Sequence, residues 1–178
     1  MDKKFLQWLI KIRNERLNKI MVFITHLGTG AFIWILTSFI LYIIGQRTLA
    51  CNVIFALIIN GIICNLILKP LLKRKRPSWI EKVELLIKNP TDFSFPSGHS
   101  ASSFAAAITI FLYFKTLGIL FLCLATLIGF SRIYHFVHYP SDVIVGAILG
   151  TVIGHMSFWI FWKYVINYLA GKNFLAIM

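Results

Sequence analysis

Charged residues are scarce in this sequence of 178 residues. They make up 13% of the chain, whereas soluble domains usually contain about 25%. Hydrophobic residues account for 58% and aromatic residues for 15%. Several apolar runs reach the length of about 20 residues that crosses the hydrocarbon core of a bilayer. The composition therefore excludes an ordinary soluble domain and predicts an integral membrane protein.

Cysteine is also rare, and it forms no motif. Cys51, Cys64 and Cys123 lie in or beside apolar runs and lack the CxxC spacing of zinc and redox sites. This pattern favours buried thiols over a disulfide framework. The chain also lacks an uninterrupted apolar run at its start, because charged residues divide the first stretch, so we expect no cleavable signal peptide.

Acidic residues number only six against 18 basic ones, which gives a formal net charge of +12. A strongly basic chain raises the question of nucleic acid as a partner. Here the basic residues flank apolar runs, where they anchor helices against anionic lipid. The sequence thus favours membrane lipids as partners, and we expect no nucleic acid.

The apolar runs predict about five membrane spans. Their approximate ranges are 20–45, 50–69, 99–114, 117–134 and 142–163. The sequence shows no internal repeat, low-complexity tract or domain boundary. The predicted fold class is an all-α, polytopic membrane helical bundle, with residues 1–178 forming a single domain.

Two further segments complete this prediction. Phe5, Trp8, Leu9 and Ile12 recur at helical spacing. They predict an amphipathic helix over 3–18, within an N-terminal segment 1–19 that lies in the membrane interface. The other segment, 77–98, is polar and predicts an exposed loop, with a short interfacial helix over 80–88.

The first of three polar motifs ends the second predicted span. Lys69 and Arg76 stand seven residues apart, directly before Pro77. Phosphate binding needs cations held at a fixed distance, and arginine adds a planar fork that bonds two oxygens at once. A juxtamembrane cluster that binds lipid headgroups is the alternative, and it is our interpretation of the basic residues 73–75.

The second motif, Pro-Ser-Gly-His at 96–99, precedes the third predicted span. Ser97 is a good helix N-cap, and Gly98 lets backbone N–H groups approach an anion. A helix N-terminus also attracts negative charge. His99 would then give a proton to a leaving oxygen as a general acid. Simple helix capping beside an interfacial histidine is the alternative.

The third motif joins the fourth and fifth predicted spans through Ser131, Arg132, His138 and Asp142. A histidine four residues before an aspartate places a ring nitrogen against a carboxylate. That contact fixes the tautomer and supports the positive charge that forms when the other nitrogen attacks phosphorus. The alternative is a capped helix start beside a surface histidine. Since successive spans alternate in direction, all three motifs are expected on one membrane face.

Together the motifs resemble the tripartite signature of the type 2 phosphatidic acid phosphatase superfamily. That signature reads Lys-x6-Arg-Pro, then Pro-Ser-Gly-His, then Ser-Arg-x5-His-x3-Asp, and this chain fills every fixed position. The resemblance covers about residues 50–165. It implies a membrane phosphatase that removes the terminal phosphate of a lipid phosphate or pyrophosphate through a phosphohistidine, without a metal or other cofactor.

The resemblance also implies a role for each motif residue. His138 would be the nucleophile, oriented by Asp142, and His99 would protonate the leaving group. The phosphate cradle would consist of Lys69, Arg76, Ser97, Gly98 and Arg132. His135, three residues before His138, is the alternative nucleophile, but it lies off the signature spacing. No catalytic role is expected for His26 and His155, which lie within predicted spans.

Several lipids fit the implied reaction. We expect undecaprenyl pyrophosphate, with phosphatidylglycerol phosphate, phosphatidic acid and lipid A as alternatives, and the oligomeric state stays open. A vanadium-dependent haloperoxidase shares the signature, but those enzymes are larger and soluble. A transporter or structural membrane protein would need no His–Asp pair beside three cations.

Two arguments disagree about which side of the membrane the three motifs face. By span parity, 14 of the 18 lysines and arginines lie on the side of the motifs, which favours the cytoplasmic side under the positive-inside rule. The family resemblance favours the extracytoplasmic face, and a phosphate site collects cations for its own purpose. We therefore expect a multi-pass protein of the cell membrane whose active site faces outward.

Overall fold

The chain forms a bundle of helices in the computed structural model, which describes residues 2–167. Met1 and the residues after 167, which belong to the predicted domain 1–178, lie outside this range. The α-helices in the described range are α1 Asp2–Lys11, α2 Glu15–Leu27, α3 Phe32–Ile43, α4 Arg47–Asn60, α5 Lys69–Leu72, α6 Pro77–Ile80, α7 Gly98–Tyr113, α8 Lys115–Tyr134 and α9 Pro140–Ile160. Wider π-type turns over Gly61–Leu68 and Phe161–Ile166 continue α4 and α9. The predicted all-α class is confirmed over these residues.

Three helical stretches are long and apolar enough to cross a membrane: Arg47–Ile80, Lys115–Tyr134 and Pro140–Val165. A fourth candidate is the pair Glu15–Leu27 and Thr29–Ile43, which is bent by 55° at the break between them. The 16 residues of α7 extend only about 24 Å. Length and composition therefore give three or four candidate spans in the described range, compared with about five predicted.

The bend between α2 and α3 comes from two residues in the left-handed backbone region, Gly30 with φ 58° and Ala31 with φ 59°. Gly28, just before them, permits a close approach. A Cβ there would lie 2.6 Å from the side chain of Ile128 and 3.0 Å from the ring of His99. The bend thus places the end of α2 directly against α8 and the start of α7.

Helix α7 lies at the centre of the bundle, with α4, α8 and α9 packed around it. Ten of its 16 residues are buried, and most of these are alanine or serine. Such small side chains allow membrane helices to approach closely. The buried hydroxyl of Ser103 also accepts a hydrogen bond from the indole N–H of Trp34 at 3.0 Å, which ties α3 to this central helix.

Glycines on α9 complete the close contact with α7. Gly146, Gly150 and Gly154 recur every four residues and so lie on one face of the helix. A Cβ at Gly150 would lie 2.2 Å from the carbonyl oxygen of Ala101, and one at Gly146 would lie 2.7 Å from that of Ser97. The backbones of α7 and α9 therefore touch, and the N-terminal ends of these two helices are held side by side.

Two of the helix predictions are wrong, one in its limits and the other because the expected helix does not form. The helix expected over 3–18 is interrupted: α1 ends at Lys11, and α2 begins at Glu15, where Asn14 caps it by accepting from the Leu17 N–H at 3.0 Å. Asparagine favours this capping position over a helix interior. The helix expected over 80–88 is absent. The helical turn α6 ends at Ile80, and the backbone is irregular over 81–97.

The two faces of α1 meet different surroundings. Leu6 and Leu9 are buried in a cluster that includes Phe136 and Tyr139 from the turn between α8 and α9. The other apolar residues of the predicted stripe, Phe5, Trp8 and Ile12, are exposed. One face of α1 thus packs on the end of the bundle that carries the polar motifs. The other face remains available to the membrane interface, where its placement stays a prediction.

We expect Gly150→Ala to lower the free energy of unfolding by about 1–3 kcal/mol, the usual cost of overpacking. The added methyl group would meet a backbone oxygen, which no change of rotamer moves away. Gly61→Ala is the matched control, because a Cβ there meets nothing within 4 Å. Thermal unfolding of both variants in detergent measures the difference, and equal midpoints would contradict this account of the α7–α9 contact.

Candidate active site

The three motifs meet at one end of the bundle, around a cavity of about 860 Å³. Six of the eight predicted site residues line it: Lys69, Arg76, Gly98, His99, Arg132 and His138. Ser97 and Asp142 are fully buried behind this lining. The convergence follows from the packing of α7 between α4, α8 and α9, which gathers helix ends distant in sequence.

His138 lies in the turn between α8 and α9 and is only 1% exposed. Its Nδ1 lies 3.5 Å from Oδ2 of Asp142, which is longer than an ordinary hydrogen bond of about 2.7–3.2 Å. The hydroxyl of Ser94 lies beside both groups: it donates to the same carboxylate oxygen and is 3.4 Å from Nδ1. The predicted His–Asp pair is therefore a cluster of three, which sequence reasoning missed because Ser94 stands in an irregular loop.

The carboxylate of Asp142 is held from two other directions. The backbone N–H of Tyr139 donates to Oδ2 at 2.8 Å, and Arg74 donates to Oδ1 at 2.6 Å. The Arg74 guanidinium also bonds the hydroxyl of Ser141 at 2.9 Å and lies 4.1 Å from the centre of the Tyr139 ring. The interpretation of Arg74 as a headgroup-binding residue is therefore wrong, since it supports the aspartate of the third motif.

Arg76 determines which nitrogen of His138 is available. Its Nη1 lies 3.0 Å from Nε2 of the histidine and donates to the carbonyl oxygen of Val137 at 2.8 Å. A guanidinium has no lone pair to accept a hydrogen bond, so Nε2 must be the acceptor. The proton of the neutral ring then lies on Nδ1, towards Asp142, and the lone pair of Nε2 points towards the cations.

The surroundings of His138 keep this ring neutral. Burial lowers the pKa of His138 well below its usual value, and the positive charges of Arg76, Arg132 and Lys69 lower it further. At neutral pH the Nε2 lone pair is consequently free of a proton. A neutral imidazole facing several cations is suited to attack an electrophile that carries negative charge.

Lys69 and Arg76 share an acidic partner that the sequence did not indicate. The Lys69 ammonium forms an ion pair with Oδ2 of Asp92, and Nη2 of Arg76 donates to Oδ1 at 2.7 Å. Burial alone would raise the pKa of Asp92, but the hydrogen bond and charge of Lys69, together with Arg76, outweigh it and lower the pKa. Asp92 is therefore ionised at neutral pH.

Arg132 reaches the cavity from the end of α8. Its Nη1 donates to the hydroxyl of Thr25 at 2.7 Å, and both side chains are buried. Its Nε has no hydrogen-bond partner among residues 2–167. Thr25 lies on α2, far upstream of the motifs, and no spacing in the sequence pointed to it.

The second motif begins α7 as expected. Ser97 is the N-cap, and its side chain accepts from the N–H of Ser100 at 3.4 Å. A Cβ at Gly98 would lie 2.8 Å from Oδ1 of Asn65 and 3.3 Å from the Lys69 ammonium, so glycine lets the lysine approach the helix start. The Nε2 atom of His99 is buried and has no hydrogen-bond partner within the described range.

The other histidines lie differently. His135 is buried beside Tyr134, does not line the cavity, and has its pKa lowered to about 4, mainly by burial. His26 and His155 each bond the carbonyl oxygen four residues earlier in their own helix, at 2.6 and 3.0 Å. His26 also lines the cavity, which the sequence did not predict.

Comparison with known proteins places the chain in a family. The family model described as the PAP2 superfamily matches residues 49–166. An undecaprenyl-diphosphatase of Sulfolobus acidocaldarius is 33% identical over 79% of this chain and 69% of its own length. The undecaprenyl-diphosphatase BcrC of Bacillus subtilis is 31% identical over 82% of this chain and 75% of its own length.

A solved structure supports the same family assignment. The PAP2-type phosphatidylglycerolphosphate phosphatase of Bacillus subtilis superposes with a TM-score of 0.76 and 25% identity, over 92% of this chain and 85% of its own. The family model covers more than half of the chain and includes all eight predicted site residues. On this evidence the chain belongs to the PAP2 superfamily.

Proposed function

We propose that this membrane phosphatase hydrolyses the terminal phosphate of a lipid phosphate or pyrophosphate through a phosphohistidine on His138. The observation that carries the proposal is the lone pair of His138 Nε2, which faces the cations at the cavity wall. Lys69, Arg76 and Arg132 supply the positive charge that metal ions supply in other phosphoryl transfers. The reaction therefore needs no metal cofactor.

The first step transfers the phosphoryl group to the enzyme. Nε2 of His138 forms a bond to phosphorus while the bond from phosphorus to the leaving oxygen breaks. Once the negative charge of the substrate lies beside it, His99 is protonated, and this imidazolium, whose Nε2 lies buried at the cavity, gives its proton to that oxygen. Asp142 stabilises the positive charge that develops on the His138 ring. The product lipid leaves with the proton.

The second step returns the enzyme to its starting state. A water molecule gives a proton to His99 and attacks phosphorus, and the bond from phosphorus to Nε2 breaks with its electron pair returning to the ring. Inorganic phosphate is then released from Lys69, Arg76 and Arg132. His99 thus acts as an acid in the first step and as a base in the second.

We expect His138→Ala to lower kcat for phosphate release by about a thousandfold or more, the usual consequence of removing a nucleophile. His155→Ala is the matched control, because that histidine is exposed and, among the described residues, bonds only its own helix. Phosphate release in detergent with a chelator present measures both. Full activity of the His138 variant would disprove the phosphohistidine.

A lipid substrate is favoured by the apolar part of the same cavity. Ile35, Ile54, Leu57 and Ile58 line it together with the polar motifs, and Ile35 and Ile58 are about half exposed. An acyl or prenyl tail can therefore remain in the bilayer while its phosphate reaches the cations. Undecaprenyl pyrophosphate is the first candidate because both sequence relatives carry that activity in their names.

Phosphatidylglycerol phosphate is the second candidate, since the structural neighbour is named for it. We expect the purified protein to show its highest kcat/KM on undecaprenyl pyrophosphate in a panel that includes phosphatidylglycerol phosphate, phosphatidic acid and lipid A. All four are measured in the same detergent with chelator present. Equal rates on all four would overturn this assignment, and a clear preference for phosphatidylglycerol phosphate would replace it with the second candidate.

We also propose that α7 crosses the membrane as a fifth span and that the active face is extracytoplasmic. Support for the crossing is the position of α7 among α4, α8 and α9. Support for the outward face is the resemblance to the superfamily. The excess of basic residues opposes it, but Lys69, Arg76 and Arg132 face the cavity rather than lipid headgroups.

Cysteine labelling tests both parts. In a variant without the native cysteines, we expect Lys82→Cys to react with an impermeant maleimide in intact cells. Lys115→Cys, at the other end of α7, should react only after permeabilisation. Both lysines are exposed in the structure. The reverse pattern would place the active face inside, and equal labelling at both positions would contradict the crossing of α7.

A further inference from the structure

The carboxylate of Asp92 forms ion pairs with Lys69 and Arg76, two of the three cations that the proposed function assigns to the phosphate. One carboxylate oxygen pairs with the Lys69 ammonium, and the other accepts from Nη2 of Arg76 at 2.7 Å. A carboxylate that bridges two cations in this way resembles two oxygens of a phosphate, which is bound by the same groups. All three side chains line the same cavity.

The three partners differ in exposure. The side chain of Asp92 is 51% exposed, whereas those of Lys69 and Arg76 are 9% and 1% exposed. The carboxylate is thus the member of this cluster that solvent reaches, whereas the two cations are buried.

Arg76 does not depend on this carboxylate for its position. Its Nε donates to the backbone oxygen of Asp92 at 2.7 Å, Nη2 is 3.3 Å from the oxygen of Phe93, and Nη1 donates to that of Val137 at 2.8 Å. These bonds involve main-chain atoms and persist when the Asp92 side chain rotates. The carboxylate can therefore leave the guanidinium without moving the loop or the arginine.

Exchange of one anion for another follows from these contacts. Lys69 and Arg76 are buried charges, which are costly without a partner. The carboxylate supplies that partner until a phosphate, with a charge of about −1.5 to −2 at neutral pH, takes its place. As inorganic phosphate leaves, the carboxylate returns and prevents the two cations from holding the product tightly.

We propose that Asp92 is an affinity-determining residue of this site, whose carboxylate competes with substrate and product phosphate for Lys69 and Arg76. This inference rests on the proposed function. It assigns to Asp92 an effect opposite to that of a residue that merely positions the two cations. Removing a competitor tightens phosphate binding, whereas removing a positioning group weakens it.

The test measures KM for the lipid substrate and the inhibition constant of inorganic phosphate in Asp92→Asn and Asp92→Ala. We expect both constants to fall together by about tenfold, the effect of one charge-assisted hydrogen bond, while kcat does not rise. Glu81→Gln is the matched control, because it removes a carboxylate from the same irregular loop, whereas the ion pairs of Lys69 and Arg76 within residues 2–167 are with Asp92. Its constants should remain those of the parent protein.

Each other outcome has a distinct meaning. A rise in the phosphate inhibition constant in both Asp92 variants would show a positioning role and overturn the proposal. Unchanged constants would overturn it as well, because no competition would then exist. If the parent protein neither releases phosphate from lipids nor is inhibited by phosphate, the proposed function fails and this inference fails with it.

Discussion

The buried guanidinium of Arg76 is the contact on which the active end of the bundle depends. Its acceptors are the backbone oxygens of Asp92, Phe93 and Val137, the carboxylate of Asp92 and the ring of His138. A buried charge is stable only when its hydrogen bonds are satisfied, and arginine offers five N–H groups in a rigid fork. One side chain therefore joins the loop before α7 to the turn before α9. The same bonds that stabilise the fold also orient the ring of His138, the proposed nucleophile.

This arrangement needs a rigid base, which the contact between α7 and α9 provides. Ser97 and His99 stand at the start of α7 and Asp142 at the start of α9, and the backbone N–H of Ser97 donates to the Asp142 carbonyl oxygen at 3.0 Å. Glycine at 146 leaves room for this approach. Site residues on helix ends that touch through their backbones are held more precisely than residues on free loops.

Much of the site was predictable from spacing alone. Five of the polar motif residues stand at the ends of apolar runs, where ionisable groups are functional candidates. They are Lys69, Arg76, His99, His138 and Asp142. Asp92, Ser94 and Thr25 were not predictable, because none of them belongs to a motif: the first two lie in the irregular loop before the second motif, and Thr25 lies on α2. The N-terminal helix is shorter than predicted for a local reason. The apolar periodicity continues past Asn14, so the sequence pattern does not show that this residue caps a new helix.

The sequence by itself determined the all-α class, the gathering of three motifs at one end and the groups that we propose to bind phosphate. Apolar run lengths and fixed spacings are local properties, which can be read along the chain. Only the tertiary structure decided the partners of those groups. Ser94 meets Asp142 across 48 residues, and Thr25 meets Arg132 across 107. Such contacts depend on how helices bend and pack, which no local pattern specifies.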